Sequence, residues 1–526
     1  MSSAPVEELA QFLRDRFGAN APTTWSFQTH WSYMQLQDWP RTDQYDDAKM
    51  MDLMQQLYDA LRAPDDDRPL IGELTLDNDP PQLQHTFELS SLSPCSVLLD
   101  SEFCYPNDQH TRQSVSEHPA ATDSATDPGV LRRVESLVTQ WAAHYREVTG
   151  SAPEFGEPYT EDRLLAIEQR VGLRLPEDLR ALYRLVGDDD HELGLLGGYS
   201  LLEPAAHDHP QMGFGVASTS DPFTPLDRVV FDPYPLGAVR RVSSSDGWIP
   251  IGKDYGCNGI AVDLDPGPAG QYGQILEFGR DFEMVGVLAE SVTALLTKVV
   301  TTLLRADVGQ DVWPVRISRP DRQWAANIQV DADHLAAALA ETPDVDQLQR
   351  LRLARPGLSI RRLPTGAVIT NGRNTDADPG RLDLRALSVA QNLRQVEIEG
   401  NGELRLWLPD AVESLLLDAP GANLSELAGH PTLWDLTVGG MSVRVRDLAA
   451  LPALTRLDAS EADIDDVAAL ADLDLRVLRL STEQWRQFRH ADRLPKRLAA
   501  AQWVGETPSM SEAMAFNNWL RRKAGR

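Results

Sequence analysis

Between Leu393 and Leu480 the chain repeats one spacing, L-x-x-L-x-L, at Leu393/Val396/Ile398, Val412/Leu415/Leu417, Leu433/Leu436/Val438, Leu454/Leu457/Ala459 and Leu475/Leu478/Leu480. Successive copies start 19, 21, 21 and 21 residues apart. A short strand of this kind cannot bury its own leucines, so the copies must stack side by side into a solenoid. A Leu-rich helical domain is the alternative, but it has no reason to keep such even spacing. Fainter copies at Leu348/Leu351/Leu353 and Leu498/Ala501/Trp503 extend the series at both ends. Leu424 and Leu427, Leu448 and Leu451, and then Ile464, Val467 and Leu470 fill the returns between strands. Ala459 and Ala462 replace larger residues, and an irregular rung is expected there.

The pattern resembles leucine-rich repeats of the short bacterial kind, with Asn401 in the usual asparagine position of the first clear copy. Side chains alternate along a strand, so the residues between the leucines point outward. Those are Gln395, Glu397 and Glu399; Ser414, Leu416 and Asp418; Asp435, Thr437 and Gly439; Arg456, Asp458 and Ser460; and Val477, Arg479 and Ser481. Stacking is expected to gather Glu397, Glu399, Asp418 and Asp435 into one exposed anionic patch that a basic partner would bind. A merely solvated face is the alternative.

A second organised stretch is Gly247–Phe278, GWIPIGKDYGCNGIAVDLDPGPAGQYGQILEF. Trp248–Gly252, Ile260–Leu264 and Gln274–Phe278 read as strands. The loop Lys253–Gly259 and the Pro- and Gly-rich Asp265–Gly273 turn between them. Upstream, Leu164, Ile167, Glu168 and Val171 mark one helix, and Leu179, Leu182, Tyr183 and Val186 a second. Pro176, Glu177 and Asp178 stand at the start of the second, and Gly187 is placed to end it. Leu288, Val292, Leu295, Leu296, Val299 and Leu303 make a closing helix.

The order and spacing of Leu175-Pro176-Glu177-Asp178-Leu179, Gly247-Trp248-Ile249-Pro250-Ile251-Gly252, Asp263-Leu264-Asp265-Pro266-Gly267 and Gly273-Gln274 resemble the SMI1/KNR4 family of the SUKH superfamily. The resemblance implies an α+β domain of helices and an antiparallel strand meander. It also implies protein binding: bacterial members are similar to immunity proteins that neutralise toxins, often nucleases, and fungal members to regulatory scaffolds of cell-wall synthesis. In such a domain the strands bury their side chains, and a Gly-rich loop presents polar groups. Lys253, Asp254, Tyr255 and Asn258 are therefore the expected partner-facing residues.

Residues 1–110 read as a small α+β domain. Val6, Leu9, Phe12 and Leu13 form one helical stripe, and Met50, Leu53, Met54, Leu57 and Leu61 another. Trp25–Leu36 alternates like a strand, and Leu70–Leu76 with Leu83–Leu89 suggests a hairpin. Residues 111–129 are poor in large apolar side chains and are expected to be a flexible linker open to proteolysis. A helix is expected over Val130–Thr149. The chain as a whole is expected to be an α+β multidomain protein, with the SMI1/KNR4-like domain over 130–306, a connector over 307–344 and the solenoid over 345–526.

A formal charge of −30 repels nucleic acid and anionic membrane and favours a basic protein partner, with solubility alone as the alternative reading. That such a partner is a toxin or nuclease domain is what the resemblance implies. Cys95, Cys104 and Cys257 make no disulfide framework, which suits a cytoplasmic location. The N-terminus lacks the basic start and apolar run of a signal peptide. Gly247–Asp254 fails as a phosphate-binding loop because Asp254 stands where a hydroxyl must hold Mg²⁺. Asp263 and Asp265 begin like a calcium loop, but the twelfth position is Gln274. His207-Asp208-His209 has no further ligands spaced nearby, and Asp188–His191 reads as a solvated loop. No catalytic residue set, metal or cofactor is therefore expected. The function expected is non-enzymatic protein binding, of the immunity type first. A regulatory scaffold, or an enzyme with an unrecognised N-terminal site, is the alternative.

Overall fold

The computed structural model describes residues 4–18, 23–30, 33–36, 44–64, 66, 68–92, 94–106, 120–187, 194–202, 229–243, 245, 247–254, 258–279, 282, 284–305, 325–329, 335–342, 344–354, 381–400 and 403–525. Its helix and strand content is that of an α+β protein. The chain divides into two compact units, one built from residues 1–103 together with 326–526, the other lying within 104–325. This departs from the expectation that 1–110 stands apart from the repeats.

In the first unit, α1 (Ala4–Phe17) is followed by β1 (Thr24–His30), β2 (Tyr33–Leu36), α2 (Gln44–Leu61), β3 (Leu70–Thr75) and β4 (Gln82–Thr86). The strands form an antiparallel sheet in the order β2-β1-β3-β4. The expected stripes close its core: Val6, Leu9, Leu13, Met50, Met54 and Leu57 pack with Trp25 and Phe27. Gly72 on β3 lies under the Phe27 ring, where a Cβ would sit 2.3 Å from Phe27 Cζ. Two further strands, β5 (Ser91–Leu92) and β6 (Cys95–Leu98), form a hairpin that leaves this sheet and joins the repeats.

The second unit begins with α3 (Pro128–Thr149), α4 (Glu161–Val171) and α5 (Glu177–Tyr183). An antiparallel sheet follows: β7 (Ser200–Leu201), β8 (Trp248–Lys253), β9 (Asn258–Asp263), β10 (Gln274–Gly279) and β11 (Gly286–Ala289), in the order β11-β10-β9-β8-β7. The helix α6 (Val292–Arg305) closes it. Both faces of the sheet are covered. Ile249, Ile251, Ile260, Val262 and Ile275 join the helical core, while Trp248, Ala261, Leu276 and Phe278 pack with Val239, Val242 and Val285 on the other side. The meander and closing helix expected from the sequence are present. Gly187 does not end α5, which stops at Tyr183. Gly187 instead lets two backbones touch, since a Cβ there would lie 2.1 Å from the Glu157 carbonyl oxygen.

Part of the expected linker is ordered. Asp127 caps α3 by accepting from the N–H groups of Gly129 and Val130, and Pro128 opens the helix. Residues 107–119 lie outside the described residues.

The chain then returns to the first unit through β12 (Ala325–Gln329), α7 (Leu335–Glu341), β13 (Arg350–Ala354), β14 (Arg381–Asp383), β15 (Gln395–Glu399), β16 (Glu403–Arg405), β17 (Ser414–Asp418), β18 (Asp435–Val443), α8 (Val445–Leu448), β19 (Arg456–Ile464), β20 (Val477–Ser481), α9 (Thr482–Ala491), β21 (Ala500–Val504) and α10 (Met510–Ala524). The expected connector 307–344 thus contains β12 and α7. Strands β13, β15, β17, β18, β19, β20 and β21 pair in parallel, one per repeat, with the leucines inside. Both fainter copies supply a strand. At each rung two successive N–H groups donate to one carbonyl of the rung before, as Trp434 and Asp435 do to Glu413, and Thr455 and Arg456 to Trp434. That doubled bond sets every rung in the same way. The expected irregularity appears where nine-residue β18 and β19 slip register between Thr437 and Ser442.

Candidate functional site

Five polar residues of the 247–278 stretch, Asn258, Asp263, Asp265, Gln274 and Glu277, turn inward. Asp263 is fully buried at the end of β9. Its carboxylate accepts from the Asp265 N–H (2.9 Å) and from Gln274 Nε2 (2.8 Å). Gln274 Nε2 also donates to the Ala238 carbonyl (2.8 Å). Asp265 in turn meets Arg240 Nη2 at 2.8 Å and Ser245 Oγ at 3.2 Å. Gly267 and Gly270 press against the same segment, since a Cβ on either would strike the Gly237 or Ala238 carbonyl. The set therefore staples Ala238, Arg240 and Ser245 to the sheet. Burial, with the neighbouring Asp265 charge, pushes the Asp263 carboxyl up to about 7, against the opposing Gln274 bond. On β10, Glu277 is buried and accepts from Tyr199 Oη at 2.7 Å.

The loop after β8 is only partly what the sequence suggests. Lys253 is exposed. Asp254 is half-buried and closes the turn on Asn258: its carboxylate accepts from the Asn258 N–H and side-chain amide, both at 2.9 Å. Asn258 is buried in β9 and is not a surface residue, because its amide is used inside the turn. Tyr255 lies outside the described residues, as do Cys257, Asn401, Asp188–His191 and His207–His209.

On the repeats, the exposed anionic patch is corrected. Glu397 lies 2.9 Å from Arg350 and 3.6 Å from Arg352, and Glu399 lies 3.1 Å from Arg352. Asp435 is buried between Arg456 (2.6 Å) and Ser414 (2.7 Å). Asp458 meets Arg479 at 3.0 Å. Glu397, Glu399, Asp435 and Asp458 each face a base one rung away, so this part of the face is a charge-paired ladder. Asp418 is half-buried, with its carboxylate against the Gly439–Gly440 backbone. The signal was present in the sequence: aligning the rungs puts Arg352 beside Glu397 and Arg456 beside Asp435.

A third polar group escaped the pattern reading. Glu168 and Arg180 are buried 2.6 Å apart on α4 and α5. Arg174 pairs with Glu177 at 2.5 Å, and Arg180 with Glu161 at 2.6 Å. Asp178 accepts from the Thr293 N–H at the start of α6 (2.8 Å). Glu168 stands in an otherwise apolar helix stripe, and that misplacement was the legible sign. Among the described residues no group of three or more His, Cys, Asp or Glu side chains is placed to hold a metal ion. No described helix is long and apolar enough to cross a membrane.

These staples fall within residues 158–298, which match the SMI1 / KNR4 family (SUKH-1). This segment is an SMI1/KNR4 domain. Relatives of that domain include the cell wall biosynthesis/cell cycle regulator smi1 of Schizosaccharomyces pombe, 37% identical over 136 residues, or 24% of this chain and 27% of that protein. The glucan synthesis regulatory protein of Neurospora crassa is 42% identical over 72 residues, 14% of each chain. The cell wall assembly regulator SMI1 of Saccharomyces cerevisiae is 49% identical over 57 residues, 11% of each. The chain thus spans about a quarter or less of these relatives' own length. Among solved structures, an internalin of Listeria monocytogenes is similar at a TM-score of 0.21 and 17% identity, over 35% of this chain and 55% of that one. The repeat architecture rests on its own strand pairing.

Proposed function

We propose that this chain is a non-enzymatic protein-binding scaffold that joins an SMI1/KNR4 domain to a leucine-rich-repeat solenoid in the cytoplasm. The observation that carries the reading is the use of the motif's polar residues. Asp263, Asp265, Gln274, Glu177 and Asp178 hold backbone or side chains of their own domain, which is the arrangement of a support for an outer surface. The names of the fungal relatives, regulators of cell-wall synthesis and assembly, favour a regulatory scaffold over toxin neutralisation. Solenoid faces are extended binding surfaces. The net charge of −30 steers a basic protein partner by its long-range field.

Affinity purification of the full chain from its native cell, followed by reconstitution with the purified candidate, tests the reading. A stoichiometric protein complex is the expected result. A purified chain that turns over a small molecule and retains no protein would overturn it.

A further inference from the structure

The last part of the solenoid carries charge that runs against the rest of the chain. Residues 484–526 hold nine Lys and Arg against three Asp and Glu, in a chain of net charge −30. The excess gathers in one place. Trp485 on α9 packs on Phe516 and Trp519 of α10, with ring centroids 5.1 and 6.5 Å apart. Where α9 stops, Asp492 accepts from Trp519 Nε1 at 3.3 Å and pairs with Lys523. The C-terminal ends of the two helices are thus joined through one carboxylate.

Five bases stand at these ends or just past them: Arg489, Arg493 and Lys496 from the α9 side, Arg522 and Lys523 from α10. Arg493 pairs with Asp472, and Lys523 with Asp492. Arg489, Lys496 and Arg522 are exposed and have no ion-pair partner among the described residues. The Asp492 carboxyl is held below the usual carboxylate range by its bonds to Lys523 and Trp519, and the Arg522 charge adds to this. Each helix C-terminus carries roughly half a negative charge, so about one cation balances the two. Three free bases therefore leave a positive surplus. The neighbouring pairs are loose, since the Asp472 and Asp492 side chains are 67% and 58% exposed, and exposed pairs contribute little. Incoming carboxylates can take over their bases at small cost.

We propose that the joined C-terminal ends of α9 and α10 are a docking surface for a short acidic segment of a partner protein. Charge complementarity selects that occupant. A nucleic acid or an anionic membrane is an extended polyanion and meets the repelling field of the whole chain. A short segment meets only the charges within roughly 8 Å, the screening length at physiological salt, and there the bases are in excess. No large apolar side chain of the described residues in 484–525 is exposed. Binding therefore comes from charge and weakens as salt rises. The proposal rests on the protein-binding reading, and it adds a surface opposite in sign to the field that steers a basic partner.

The test uses the full chain and a fluorescent peptide of alternating Glu and Ser, with Gln in place of Glu as the control. The acidic peptide should bind the wild-type chain, and the control should not. Arg489→Glu, Lys496→Glu and Arg522→Glu together should weaken binding by about tenfold or more. Arg446→Glu, at an exposed base elsewhere on the solenoid, should leave it unchanged. No binding to the wild-type chain, or binding that survives the three reversals, overturns the surface. If the reversals cost amide-exchange protection in β20 and β21, Gln at the same three positions is read in the same way. A single-stranded oligonucleotide of equal charge that displaces the peptide makes this a general anion surface and overturns the protein segment. A wild-type dimer that the reversals dissociate assigns the surface to a second copy and overturns it too. A native complex kept at full affinity by the reversed chain sinks the surface alone. Peptide binding as expected, with no native complex retained, keeps the surface and sinks the protein-binding reading.

Discussion

Arg456 Nη1 lies 2.6 Å from Asp435 Oδ1 across neighbouring rungs, with 2% and 1% of the two side chains exposed. Both sit at strand positions that the alternation directs outward, yet neither reaches solvent. Truncating one partner strands the other as a buried, uncompensated charge. Asp435→Ala should therefore destabilise the first unit by about 3–5 kcal/mol, and it also removes the acceptor of Ser414 Oγ. Asp435→Ala with Arg456→Met should recover most of that loss. Urea unfolding of the three proteins checks this, and a single variant as stable as wild type would show that the pair is solvated.

The Asp263 carboxyl, pushed up to about 7 mainly by burial, makes stability depend on pH. An unfolded aspartate titrates near about 3.9. Between those values the folded chain holds a proton that the unfolded chain has lost. The contribution is full below about pH 4, falls by up to about 1.4 kcal/mol per pH unit as pH rises, and is gone above about 7. Asp263→Asn removes this titration whatever its own fixed cost. Relative to wild type, the variant should gain stability between pH 5 and pH 8. Urea midpoints at the two pH values measure it, and a constant difference would mean that Asp263 does not titrate in this range.

The solenoid was legible because its signal is periodic: stacking forces leucine at fixed intervals, and even Leu348/Leu351/Leu353 and Leu498/Ala501/Trp503 yielded strands. The SMI1/KNR4 meander was legible through turn residues and alternating apolar side chains. What the outward side chains do was not legible from alternation, which gives a direction and not a neighbour; it takes the alignment of neighbouring rungs to show it. Glu397 and Asp435 pointed the right way, but Arg350 and Arg456 arrive from other rungs and neutralise them. The split of the chain was misread for a related reason. Composition marks where a chain is polar, and it carries no sign that β6 pairs with β21, some four hundred residues away.

Trp248 on β8 and Asp254 just after it separate two kinds of role. Trp248 is buried against Phe278, with ring centroids 6.0 Å apart. Trp248→Ala should cost about 3–5 kcal/mol. Asp254 closes the following turn through two bonds to Asn258, so Asp254→Ala should cost about 1–2 kcal/mol and loosen the turn that follows Lys253. Thermal unfolding ranks the two. An Asp254→Ala protein indistinguishable from wild type would show that the turn is held without the carboxylate.

The N-terminal hairpin closes the edge of the repeat sheet. Val97 pairs with Ala501 and Ser96 with Gln502, and Gln502 Nε2 donates to Ser96 Oγ at 2.7 Å. Arg521 on α10 adds bonds to the Glu88 and Leu98 carbonyls. An uncovered β21 would offer a row of free backbone groups. Cleaving the chain at a protease site inserted between residues 107 and 119 should therefore leave two fragments that elute together from a sizing column, although the sequence alone suggests two separable domains. Cys95 supplies an internal reporter, since it is buried on β6 and its thiol is pushed up to about 12 by that burial. Alkylation at Cys95, located by peptide mass spectrometry, should stay slow after cleavage and become fast only when urea releases β6. Fragments that part in buffer, or a Cys95 alkylated as fast as the exposed Cys104, would show that the hairpin is not the sheet's terminal strand pair.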